Sequence, residues 1–249
     1  MIINVTSQNS PIAPQPGERV VEFAELLGFA RRPWALPRLL WARRHERCVS
    51  VVDIAPHYVR PALVHLLNLL VRAGEHRIVD RNGHDEPVSW RAFFLHDLPR
   101  LLGDLAASLP LRRLMRRRLD ALCAAPEQRV GPPPDDGRLH YYRTDLLFGL
   151  TAGGSVGHIT GVASAFARQG FDVDLFACED LVFLRDKPLR VRVFDPGSRF
   201  RNLPEIRLFH YGLDFTARLG TIVAAEGAPD MVYQRLSLNN FAGVELSRA

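Results

Sequence analysis

The stretch Gly153-Gly-Ser-Val-Gly-His158 holds the residue types best suited to chemistry in this 249-residue sequence. It stands where a strand candidate gives way to a helix. Unpaired backbone N–H groups and the positive end of the helix dipole gather at such a terminus, which therefore attracts phosphate. Gly153 and Gly154 let a ligand approach that backbone closely, because no Cβ stands in the way. Ser155 adds a hydroxyl in the first turn. His158 lies just inside the helix, readable as a cleft residue or as a plain surface residue.

A dinucleotide reading competes for the same turn. Ala152, Gly154 and Gly157 follow the G-x-G-x-x-G spacing with alanine in the first place. Glu179 and Asp180 lie at a suitable distance for a ribose-binding acid. That fingerprint, however, turns tightly out of its first strand, and residues 145–151 make the loop too long. Metal chemistry has less support still. The cysteines, Cys48, Cys123 and Cys178, lie far apart, with no CxxC pair and no Cys/His cluster, so neither a zinc site nor a disulfide scaffold is expected. They suit a reducing, cytoplasmic compartment. His140 and His210 fall inside strand candidates and read as structural.

Positioning such a turn takes alternating strands and helices. Residues 139–143, 171–177 and 230–234 read as strands, with 190–194 and 206–210 as weaker candidates. Residues 153–169 read as a helix closed by Gly170; Asp214 is expected to cap a helix to about 226, and residues 238–248 form a last one. The alternation predicts α/β architecture, a Rossmann-like parallel sheet covered on both faces. Residues 126–137, rich in proline and ending in Asp-Asp-Gly, form the clearest linker. Residues 138–249 are the expected Rossmann-like domain.

Before the linker, residues 1–17 read as a disordered tail and 18–125 as a small α/β or mostly helical extension. Helices are expected over 20–27, 36–47, 62–72 and 89–108. Strands are expected over 48–54 and 76–80, with an Asn82-Gly83 turn after the second. After Pro110, Leu111, Leu114, Met115, Leu119 and Leu122 share one helical face, and Arg112, Arg113, Arg116 and Arg117 the other. Arg118 lands on the apolar side. The net charge of +5 favours anionic partners. This helix could lie on an acidic membrane surface, although packing its leucines inward is the plainer reading. Basic residues are not interleaved with aromatics, so nucleic acid is not an expected partner. The N-terminus lacks the pattern of a signal peptide. No apolar run approaches the roughly 20 residues of a membrane span.

Two separated stretches share a resemblance. Tyr142-Arg-Thr-Asp-Leu-Leu-Phe-Gly-Leu-Thr-Ala-Gly-Gly-Ser-Val-Gly-His-Ile-Thr-Gly-Val162 is similar to the opening strand, loop and helix of family 4 glycosyltransferases. Pro229-Asp-Met-Val-Tyr-Gln-Arg-Leu-Ser-Leu-Asn-Asn-Phe-Ala-Gly-Val244 resembles that family's strand and helix before the interdomain cleft. The resemblance implies the first, acceptor-side half of a GT-B fold. It implies transfer of a sugar, with retention, from a nucleotide-sugar donor to a carbohydrate or lipid-linked acceptor, in surface polysaccharide or glycoconjugate synthesis. Neither metal nor cofactor is implied. By resemblance, Gly153, Gly154 and Ser155 lie against the donor diphosphate or the acceptor, and His158 faces the cleft. Tyr233, Arg235, Ser237 and Asn239 border the acceptor pocket. Some members carry a histidine near Arg235; here the arginine suits an anionic acceptor group or the leaving phosphate. The family holds its donor mainly through a second domain, so a chain ending at Ala249 is expected to be inactive alone. The alternatives are a non-catalytic half that needs a second polypeptide and, further off, a dinucleotide oxidoreductase.

Overall fold

The computed structural model describes residues 1–6, 12, 14, 16, 18–22, 24–26, 28, 34, 40–41, 43–125, 131–132, 134–235, 237 and 240–248. The chain divides into two compact units, Met1–Ala107 with Phe200–Pro204, and Ser108–Arg199 with Glu205–Ala249. The division falls inside a helix rather than in the proline-rich segment 126–137. The reason is local: the helix residues beyond Ser108 bond to the second unit, with Arg118 paired to Glu245 at 2.9 Å and the Leu122 carbonyl accepting from Arg248.

The first unit is built on β1 (Ile2–Asn4), β2 (Val20–Val21), β3 (His45–Val52), α1 (Pro61–Leu70), β4 (Ala73–Asp80) and β5 (Asp85–Pro87). The sheet order is β2-β1-β3-β4-β5, parallel apart from the antiparallel β4–β5 hairpin. The expected tail therefore begins with a strand. Met1, Ile2 and Ile3 are buried, and an apolar start of chain beside β3 gains more from sheet pairing than from solvation. Val20–Val21 is strand where a helix was expected, although residues 24–26 of that stretch are helical. In the second expected helix, residues 36–39 and 42 lie outside the described residues and His45 already belongs to β3. β-Branched valines and a free sheet edge favour strand there.

Ser89 caps α2 (Trp90–Ala92) by accepting the Ala92 N–H. A π turn, Phe93–Asp97, leads into α3 (Leu98–Ala124). Pro110 does not end that helix, because leucine, alanine and arginine on both sides are strong helix formers. Leu111, Met115, Arg118, Leu119 and Leu122 are half-buried, while Arg112, Arg113, Arg116 and Arg117 are exposed, as is Leu114, which was expected on the apolar face. Arg118 is thus accommodated on the inward face by its carboxylate partner.

The second unit holds β6 (Gly137–Arg143), α4 (Gly154–Arg168), β7 (Phe171–Ala177), β8 (Arg190–Val193), α5 (Pro204–Glu226), β9 (Met231–Arg235) and α6 (Ala242–Leu246). Its strands run parallel in the order β8-β7-β6-β9, the order 3-2-1-4 of a Rossmann-like half. Alternation along β6 and β7 splits the core. Leu139, Tyr141, Val173 and Leu175 meet Ile159 and Ala163 of α4; Tyr142 and Phe176 meet Tyr211, Phe215 and Leu219 of α5. The strand expected over 206–210 lies within α5, and Asp214 is mid-helix, paired with Arg218 at 2.8 Å. Tyr211, Phe215, Leu219 and Ile222 recur at helical spacing against one core, and this packing overrides the short β-like run. α6 is shorter than expected, and residues 238–239 lie outside the described residues.

Candidate functional site at the carboxyl edge of the second sheet

β6 and β9 are neighbours, with Arg143 in register with Arg235. After β6 the chain passes through α4 to β7, which pairs with one edge of β6, whereas β9 pairs with its other edge. Ligands of open α/β sheets bind in the crevice such a switch point creates beyond the strand carboxyl ends.

Gly153 is the N-cap of α4, with φ 103° and ψ −179°, and no side chain caps the helix. That conformation is essentially restricted to glycine. A Cβ at Gly153, Gly154 or Gly157 would meet nothing within 4 Å, so these positions face open space rather than a packed neighbour. Ser155 is half-buried and His158 exposed. The first turn is thus an open N-terminus with no side-chain oxygen across it.

The sequence-predicted residues of β9 come to the same edge. Tyr233 packs its ring edge-on to Tyr141 with centroids 4.9 Å apart, and its hydroxyl lies 3.3 Å from Nε2 of His158. Only the hydroxyl end of Tyr233 serves the edge; its ring belongs to the core. Ser237 and Thr144 share a hydrogen bond of 2.7 Å between hydroxyls, and Thr144 Oγ1 also donates to the Arg235 carbonyl at 3.3 Å. Those contacts tie the exit of β9 to the end of β6. Nη1 of Arg235 is buried with no hydrogen-bond partner among the described residues. Asn239 lies outside the described residues.

Sequence reasoning overlooked Arg143. It is fully buried, pairs with Asp145 at 2.9 Å and Glu179 at 3.6 Å, and donates to the Leu147 carbonyl at 2.6 Å. Glu179 in turn accepts the Gly149 N–H at 2.8 Å. This cluster fixes the loop between β6 and α4. Arginine at a strand end with an acid two residues on was the available signal. Glu179 is thereby committed to the loop and not presented as a ribose-binding acid, while Asp180 pairs with Arg185. Gln234, within the strand end expected to border the acceptor pocket, accepts the Gly243 N–H at 2.8 Å and joins β9 to α6.

Among the described residues no group of histidine, cysteine, aspartate or glutamate side chains could hold a metal ion. No helix there is long and apolar enough to cross a membrane. No family model matches the chain, nor does any curated protein or solved structure.

Proposed function

We propose that the second unit is the acceptor-side half of a GT-B glycosyltransferase, transferring a sugar from a nucleotide-sugar to a carbohydrate or lipid-linked acceptor. The observation that carries this reading is the pairing of an open glycine N-terminus with the unpartnered Arg235 Nη1 at one switch point. The resemblance of residues 142–162 and 229–244 supplies the reaction class. A departing diphosphate builds up negative charge, and fixed N–H dipoles and a half-buried guanidinium stabilise it without reorganising. His158 and the Tyr233 hydroxyl border the acceptor side. The exposed arginines of α3 suit an acidic membrane carrying a lipid-linked acceptor, and flotation with anionic vesicles checks that contact.

Calorimetric titration with nucleoside diphosphates and with NAD(H) tests the reading. It expects diphosphate binding that requires Arg235. Tighter binding of NAD(H) would favour the dinucleotide alternative, which the strand order also accommodates but the commitment of Glu179 to its loop disfavours.

A further inference from the structure

The first unit contains a cavity of about 630 Å³ lined by Tyr58, His65, Asp80, Asp97, Arg100 and Arg201, among others. A continuous hydrogen-bonded chain runs through it. Asp97 Oδ2 lies 2.6 Å from His65 Nδ1, and His65 Nε2 lies 2.7 Å from the Tyr58 hydroxyl. The Arg201 guanidinium sits 4.8 Å from the Tyr58 ring centre. It donates from Nε to the Tyr58 carbonyl and from Nη2 to that of Ala55, each at 3.2 Å. No carboxylate among the described residues pairs with it. A half-buried cation held by carbonyl dipoles, a ring face and the more distant charge of Glu86 gains from a counter-ion that completes it. The other acids of the cavity are differently engaged. Asp80 accepts N–H bonds from Ala55, Asn82 and His84 at 2.9, 2.8 and 2.9 Å, and Glu86 lies 3.6 Å from His84.

We propose that this cavity is an oxyanion site, taking the phosphate or carboxylate group of a small ligand against Arg201 and the Tyr58 hydroxyl. His65 and Asp97 hold the Tyr58 side chain at the cavity wall through the hydrogen-bonded chain. Burial raises the Tyr58 pKa, so the phenol stays neutral beside the anion and adds no negative charge. No covalent bond to the ligand forms or breaks. Asp80, His84, Glu86, Asp97, Arg100 and Arg201 are the charged or titratable groups that line the cavity with Tyr58 and His65. The inference does not rest on the glycosyltransferase reading.

The full chain is titrated with inorganic phosphate and, separately, acetate, followed by amide and imidazole NMR and by calorimetry. Saturable shifts at Ala55 and His65 are expected. Binding of phosphate alone assigns a phosphoester ligand, and binding of acetate a carboxylate. Tyr58→Phe should weaken binding about tenfold, and Arg201→Gln should abolish the shifts. If Arg201→Gln does not fold, the Tyr58→Phe result decides. Shifts confined to residues 153–158 and 235, no saturable shift with either anion, or unchanged affinity in the folded variants would overturn the assignment.

Discussion

Arg235 and Arg143 end neighbouring strands in register, yet the protein treats their charges differently. Arg143 is neutralised by Asp145 and Glu179 and serves the loop. Nη1 of each is buried without a hydrogen-bond partner among the described residues, but Arg235 has no carboxylate paired with it there. Arg235→Ala should therefore weaken nucleoside diphosphate binding about tenfold or more with little change in the unfolding midpoint; equal affinity in calorimetry would remove Arg235 from the site. Gly153→Ala places a side chain in a glycine-only conformation, at a cost of about 1–3 kcal/mol, readable by urea denaturation. His140 offers a pH test away from the site. Burial pushes its pKa down to about 4, against about 6.5 in an unfolded chain. The unfolded state thus binds more protons between those values, so stability is complete above pH 6.5 and falls toward pH 4, by at most about 3 kcal/mol. The stability difference between wild type and His140→Phe should carry that slope; a flat difference contradicts it. Gly153 and Arg235 were legible in the sequence by type and position. Arg143 was not picked out: Asp145 two residues on marked a local ion pair, but its second partner Glu179 is distant in sequence and only the fold brings it near.

Strands β6, β7 and β9 were legible because their apolar residues alternate or run continuously between turn signals. Ile206 and its neighbours were misread as strand because five residues cannot distinguish period two from a helix whose contacts extend to Ile222. Pro110 was read as a break because its ring and missing N–H usually end a helix, a cost that neighbouring propensity outweighs here. Pro110→Ala should accordingly raise stability, by up to about 3 kcal/mol, checked by thermal unfolding. The junction of β9 and α6 is tight: a Cβ on Gly243 would lie 2.4 Å from Gln234 Oε1. Gly243→Ala should destabilise the second unit by about 1–3 kcal/mol, and its hydrogen-exchange protection in β9 should fall more than in β3.

Across the whole molecule, each unit carries its own mostly parallel sheet, ordered β2-β1-β3-β4-β5 and β8-β7-β6-β9. The second sheet followed from a regular strand–helix alternation. The first was only half visible, because β1 and β2 are too short for periodicity; β1 is defined by its partner β3 and β2 by its partner β1. The linker signal at 126–137 likewise missed the division at Ala107, since proline content reports local chain stiffness and not which core a helix face joins. The central claim concerns one edge of one sheet. Amide NMR of the full chain, titrated with a nucleoside diphosphate, tests it most directly. The account predicts saturable shifts at Gly153, Gly154, Ser155 and Arg235 that vanish in Arg235→Ala; shifts at the opposite, amino-terminal end of β6 and β9, or none at millimolar ligand, would contradict it.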